Sequence, residues 1–431
     1  LATPTVLQTF DSNGVLQSQT TITRNTFMTY SSGLVTDAVG NPVVAGTGVN
    51  VSTFTPDTTA PEVASLALDL STGILTIGLT ETVALSSFKP GAVGIQNAFT
   101  SDNYNLTGGS VSLLGLTNIQ VVLKPEDLNA IRFVLGANAN VSTVLGVFYS
   151  SAVKDTTGNA LISTAVAATA FIPDTSAPAL LAFDLDLNSG TITLQFSEPV
   201  QGSTLRPELM VLQSNSSSAS VTVGLAGAIV QQTPANGIFA VLEVPAITMN
   251  IIKADERIGT IVTNTYLAAS NGFVQDLGDN NATEISTSNA LQARAILADQ
   301  TKPILLAFSL DTNAGRLLLT FDEPVNPTSA VFSRLAITSD ASSPRTLTAG
   351  AAVSAPGTVL VLSVAEADMH ALKLDSLLAT STQTTKLQVQ ADAVSDMATS
   401  PNGVAAITLQ AAAFTADTTA PRLVAFSADM S

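Results

Sequence analysis

The residues of this chain whose types and spacing suit chemistry are carboxylates that recur in threes. An Asp stands four residues before a marker proline at Asp57, Asp174 and Asp299, and a Glu stands twenty residues after the same proline at Glu81, Glu198 and Glu323. A second Asp opens an Asp-x-x-Gly-Asn type of turn late in each period, at Asp155, Asp276 and Asp396. If the periods are domains joined end to end, a first strand leaves the junction, turns, and a second strand returns its Glu to the junction. The last strand must start at that pole to finish at the other, which brings the turn Asp there too. Each junction then gathers Asp57, Glu81 and Asp155, or Asp174, Glu198 and Asp276, or Asp299, Glu323 and Asp396. Three converging carboxylates are hard-cation chemistry, and Ca²⁺ suits them because it takes six to eight oxygens in flexible geometry. The competing reading is that each Asp bonds its own turn and each Glu accepts from nearby N–H groups. Both readings stiffen the junction, and both stay open at this point. Asp69, Asp186 and Asp311, near the opposite pole, are expected to approach the next junction.

The elements that must position these residues follow from a repeat. Thr55-Pro56-Asp57-Thr58-Thr59-Ala60-Pro61 returns as Ile172–Pro178, Leu297–Pro303 and Thr415–Pro421, with marker prolines 117, 125 and 118 residues apart. That interval is a small domain. The chain divides into 1–60, the back part of one repeat; complete repeats at 61–177, 178–302 and 303–420; and 421–431, the start of another. It reads as a segment of a longer polypeptide. Proline fixes its own φ and pushes the residue before it toward extended geometry, so the connectors should be short and stiff.

Each complete period opens with alternating apolar residues around a short turn whose Gly lies twelve residues after the marker proline, at Gly73, Gly190 and Gly315. This predicts a β-hairpin with positive φ at the glycine. One helical signal recurs, at Pro125–Ile131, Pro245–Lys253 and Ala365–Leu374, and predicts a short amphipathic helix covering an end of each domain. The Ala/Val/Thr stretch between the Asp turn and the junction reads as one long last strand.

Together, the Pro-Asp-Thr-Thr-Ala-Pro junction, the Leu-Asp-Leu-x-x-Gly hairpin, Phe196-Ser197-Glu198-Pro199-Val200 with Phe321-Asp322-Glu323-Pro324-Val325, and the Asp turn resemble tandem bacterial immunoglobulin-like repeats. The resemblance covers essentially the whole chain. It implies an all-β fold of tandem immunoglobulin-like sandwiches, each of seven or so strands, used as spacers in extracellular adhesins, surface layers and fibres.

Composition narrows the function classes. The 431 residues carry 16 Lys and Arg against 33 Asp and Glu, a net charge of −17, with no basic cluster, which argues against nucleic acid or an anionic membrane as partner. The absence of cysteine excludes disulfides and thiolate metal sites. Only 11% of residues are charged, against about a quarter in an ordinary domain, so the surface is expected to be covered by neighbours or sugar. Sequons at Asn50, Asn105, Asn140, Asn215 and Asn281 permit a glycoprotein without indicating one.

The single histidine, His370, has Asn129 and Asn250 at its equivalent positions, which fits a structural helix residue better than a catalytic base. No nucleophile elbow, zinc helix or phosphate loop is present. The expectation is a non-enzymatic, extracellular filament, stalk or appendage segment whose partners are copies of itself or related chains. An adhesin region binding surface glycans is the alternative, and an aromatic-lined cleft would favour it.

Overall fold

The computed structural model describes residues 5–10, 16–22, 27–51, 53–231 and 236–430. Three tandem two-sheet β-sandwiches of immunoglobulin-like kind occupy most of it, with strands spanning 63–172, 180–297 and 305–415. In the first, one sheet runs in the order 170–172, Val63–Asp69, Ile74–Leu79, Asn118–Val122, Ser110–Leu114, and the other in the order Thr164–Ala167, Val144–Phe148, Val93–Asn97, Asn103–Asn105. The second and third domains repeat both orders. Among the described residues each sandwich thus has nine strands rather than seven or so, the additional ones being short edge pieces of two to five residues.

Alternation in the sequence becomes alternation of burial. Along Val63–Asp69 the side chains of Leu66 and Leu68 are buried while their neighbours are half-exposed, and the facing sheet supplies Ile95, Val144 and Phe148. The second and third cores are built the same way around Phe183, Phe196 and Phe273, and around Phe308, Leu319 and Leu360. The hairpin glycines Gly73, Gly190 and Gly315 have φ of +69°, +70° and +66°, a region that side-chain-bearing residues enter only at a cost.

The long last strand is not continuous. Thr164–Ala167 pairs antiparallel with Val144–Phe148 in one sheet, and Ala170–Ile172 then crosses to pair parallel with the opening strand in the other. At the crossing Thr169 donates through its N–H (2.7 Å) and hydroxyl (3.0 Å) to the Leu66 carbonyl. Changing sheets lets one segment close both, which a single straight strand cannot do.

Residues 1–60 lie partly outside the described residues. Within the described part are the strand pairs Thr5–Phe10 with Leu16–Ile22 and Phe27–Tyr30 with Gly46–Asn50, and an Asp turn in which Asp37 accepts from the N–H groups of Val39 and Asn41. Residues 421–430 form no strand and are exposed; Ser431 lies outside the described residues.

Among the described residues three α-helices cap the sandwiches: α1 at Pro125–Leu135, α2 at Ala246–Ala254 and α3 at Glu366–Lys373. No helix among the described residues is long and apolar enough to cross a membrane. Buried Asp127 fastens α1 by accepting from Thr107 N–H (3.0 Å), Thr107 hydroxyl (2.8 Å) and Tyr104 hydroxyl (2.9 Å). Asp368 fastens α3 in the same way, accepting from Thr348 N–H at 2.6 Å and Ala349 N–H at 3.2 Å. Bonds to a charged acceptor contribute roughly 1.5–3 kcal/mol each. Asp127→Ala is therefore expected to cost the first domain about 3 kcal/mol, read as lost hydrogen-exchange protection over residues 125–135 while the strands keep theirs.

Candidate functional site

The nine carboxylates form three groups, Asp57/Glu81/Asp155, Asp174/Glu198/Asp276 and Asp299/Glu323/Asp396, each with one oxygen per residue within 4.8 Å of the others. Backbone pairing brings them together. Isolated antiparallel bridges join Val83 to Asp155, Val200 to Asp276 and Val325 to Asp396, and each Val follows its Glu by two residues, which in the strands Thr191–Gln201 and Arg316–Val325 puts Glu198 with Val200 and Glu323 with Val325 on one face.

The turn Asp is held by its own loop. Asp155 accepts from the N–H groups of Thr157 and Asn159 and from the Asn159 amide, and Asp276 and Asp396 make the matching bonds with Asn280 and Asn402. The same Asn side chain also reaches the linker: Asn159 donates to the Asp57 carbonyl (3.2 Å), Asn280 to that of Asp174 (3.1 Å) and Asn402 to that of Asp299 (3.2 Å). Burial works to raise the Asp155 carboxyl, but donors from Thr157, Asn159 and Gly158 outweigh it and bring the group down to about 2. Turn capping therefore operates at every turn Asp.

The second and third groups hold a cation as well, and it is a side chain of the preceding domain. Arg132 of α1 places Nε 2.8 Å from Asp174 Oδ2 and Nη1 2.6 Å from Glu198 Oε2, while Nη2 donates to the Leu70 carbonyl of its own hairpin tip at 2.9 Å. Lys253 of α2 sits 2.7 Å from Asp299 Oδ2 and 2.8 Å from Glu323 Oε2. At the third junction Lys373 of α3 reaches the linker residue Asp417 at 2.8 Å. Each cation stands on the last turn of its helix, where the helix dipole favours positive charge. Three residues before Arg132 and Lys253, on the same helix face, Asn129 and Asn250 donate across the junction to the carbonyls of Ser197 (3.0 Å) and Asp322 (3.1 Å). His370 holds the equivalent place on α3.

The hairpin-tip carboxylates do something else. Asp69, Asp186 and Asp311 each accept from two N–H groups of their own turn, and the residue two positions later makes the contact with the linker. Ser71 bonds Thr175 (2.7 Å), Asn188 donates to the Ala298 carbonyl (2.8 Å) and Asn313 accepts from Thr418 N–H (3.1 Å). Short Asp side chains facing a tight turn are used up locally.

The basic residues escaped the sequence reading although they carry a signal. Arg132, Lys253 and Lys373 each lie four positions after the aligned Leu128, Met249 and Met369, one helical turn along the buried face. A lone basic residue on a short helix ordinarily reads as solvated, and the change from Arg to Lys hides the repeat.

Burial sets the electrostatics. The side chains of Lys253, Asp299 and Glu323 are 12%, 4% and 8% exposed. Burial opposes the Lys253 ammonium, yet its bonds to Asp299 and Glu323 prevail and raise its pKa above the ordinary lysine value. Glu323 is pushed up to about 7, chiefly by burial, with Lys253 pulling the other way. Glu198 is pushed up to about 8 by burial and by its hydrogen bond with Asp174, which Arg132 only partly offsets. One cation among three carboxylates leaves an excess of negative charge, and the Glu absorbs it by keeping a proton.

No family model and no curated protein sequence matches the chain. Among solved structures it is similar to the N-terminal part of the bacterial S-layer protein SbsC, at 14% identity over 43% of this chain and 44% of that one, with a TM-score of 0.19. Domains 1–6 of surface layer protein SbsC give 11% identity over 81% and 54%, with a TM-score of 0.20, and domains A168–A170 from titin give 11% over 81% and 98%, with a TM-score of 0.17. This chain spans less than half of the first of these. The assignment as tandem sandwiches rests on the strand pairings above.

Two outcomes follow. Lys253→Ala leaves buried carboxylates uncompensated and should lower the opening free energy of the second junction by about 3 kcal/mol, read by native-state hydrogen exchange at residues 298–303. For pH, the folded chain holds protons on Glu198 and Glu323 that the unfolded chain releases near the ordinary value of 4.5, so melting temperature should fall as pH rises from about 4.5 to about 8. Asp299, held below its ordinary 3.8 despite burial by its bonds to Lys253 and Thr301, adds a loss on the acid side below that value. Glu198→Gln should remove much of the fall above pH 5.

Proposed function

We propose that the chain is a structural segment of an extracellular filament, stalk or other surface appendage, in which sandwich domains are locked in series and assemble with copies of themselves or related chains. The observation that carries this reading is the repeated junction. Arg132, Lys253 and Lys373, three residues of three successive domains, each bury or half-bury a charge against the linker or head that follows. Fixing one domain against the next is of use to a load-bearing or spacing element, and it contributes nothing to a reaction. At the second and third groups the carboxylates and cations are committed to one another, which supports a structural rather than an enzymatic reading.

Surface composition supports assembly. Large apolar side chains stand exposed at Phe99, Leu116, Ile247 and Leu374 on a chain with few charges, and lateral neighbours or sugars would cover them. The aromatic cleft that would favour a glycan-binding adhesin has no support at Tyr104, whose hydroxyl is engaged by Asp127. Of the sequon asparagines, Asn105 accepts from the Asn103 amide, Asn140 from Ser142 and Asn215 from the Ser217 N–H, all contacts with near neighbours in the chain.

Immunogold labelling of intact source cells and of fibres sheared from them tests the proposal. Label repeating along a surface fibre or layer is the expected result. Recovery of the chain only as dispersed, unassembled protein inside cells would overturn it.

A further inference from the structure

We infer that Ser110–Leu114, the edge strand of the first sandwich, is where a second copy of this chain pairs with it, each strand running antiparallel to its twin about a two-fold axis through Ser112. The inference deepens the proposed assembly with copies of the same chain and rests on that reading.

The strand is an open edge. It ends its five-stranded sheet, bonded on one side to Asn118–Val122 without a bulge, and among the described residues no strand lies beyond it. An antiparallel strand bonds one neighbour through alternate residues, so the N–H and C=O groups of the others face outward and can take a further strand. Its core-facing side chains are left uncovered as well. Val111 stands opposite Val121 and Leu113 opposite Ile119, both of which are fully buried, yet Leu113 is 37% exposed. Leu114, 46% exposed, and Leu116, 74% exposed, add apolar surface at the same end. Edges are ordinarily blunted by Pro, Lys, a bulge or extreme shortness, and the five residues Ser-Val-Ser-Leu-Leu have none of these.

Charge selects the occupant. A chain of net charge −17 repels its copies, but residues 103–123 contain no charged residue, so two copies can meet at this edge without opposing carboxylates. The strand is also complementary to itself. Centred on Ser112, the pairing sets Val111 beside Leu113 of the second copy on the core face and Ser110 beside Leu114 on the outer face, which continues the apolar layer across the axis. The equivalent edges of the other sandwiches are less suited. In the second, Glu243 stands directly opposite Ile229 of the edge Ile229–Gln231, and its carboxylate accepts from the Gln231 amide at 2.5 Å, which keeps a negative charge there. In the third, Gly350–Ala352 offers three small residues. Five residues at about 3.3 Å each make a contact about 17 Å long, weak as a single pair and strengthened when repeated along a filament.

The chain contains no cysteine, so single-cysteine variants of residues 1–431 report this contact without background. Ser112→Cys should form disulfide-linked dimers at least about tenfold faster than Ala351→Cys on the equivalent edge of the third sandwich, since directly opposed strand residues lie within disulfide reach. Chains carrying Ser110→Cys and chains carrying Leu114→Cys should cross-link to each other faster than either does to itself. Ser112→Lys places two like charges opposite one another across the axis. It should abolish the concentration-dependent rise in sedimentation coefficient expected of the unmodified chain, at unchanged melting temperature. Equal rates for Ser112→Cys and Ala351→Cys, self-linking of Ser110→Cys as fast as its linking to Leu114→Cys, or an unmodified chain that sediments as a monomer at every concentration would each overturn the inference. Association that survives Ser112→Lys would overturn it while leaving the filament reading in place, which the labelling of fibres decides separately.

Discussion

A buried positive charge shared between two domains is the constraint on which the rest of this structure depends. Removing Arg132 or Lys253 from water is costly, and each becomes tolerable only where the linker Asp and the strand Glu of the next domain meet it at 2.6–2.8 Å. The need for that meeting explains other features. The helix must sit at the pole to deliver the cation, which Asp127 and Asp368 secure from inside. The turn Asp must hold its Asn in place, and the Asn must hold the linker. The hairpin tip must touch the linker from the far side, through Ser71, Asn188 and Asn313.

Much of this was legible in the sequence, for a physical reason. A β-hairpin with Gly at positive φ leaves a fixed twelve-residue spacing from the marker proline, and strands run straight, so topology alone returned Glu81, Glu198 and Glu323 to the pole of Asp57, Asp174 and Asp299. Helix periodicity placed α1, α2 and α3. The sheet-switching of the last strand was hidden because Ala/Val/Thr runs look alike in either sheet. What occupies the carboxylates was hidden for another reason: the partner of Glu198 is Arg132 of a different domain, and nothing in a local pattern announces a contact 66 residues away.

The junction also shows one geometry used with different charges. Arg132 at the first complete junction is bidentate across two elements and anchors back to Leu70, whereas Lys253 at the next is a point charge between two carboxylates. Arg and Lys are not equivalent in such a place, since the guanidinium stays charged and the ammonium can lose its proton when its partners do not hold it. Both solutions keep the Glu above its ordinary range, so the residual charge of the triad is managed by protonation rather than by a second cation.

The central claim, that the Lys253–Glu323 contact couples one sandwich to the next, is tested most directly by a double-mutant cycle. Lys253→Met and Glu323→Gln would be made singly and together in the full chain, and the opening free energy of residues 298–303 measured by hydrogen exchange at pH 8, where Glu323 is ionised. A coupling energy of about 2–3 kcal/mol is expected for a buried pair in direct contact. Additive effects, with coupling indistinguishable from zero, would show that the two domains are held by something other than the shared charge.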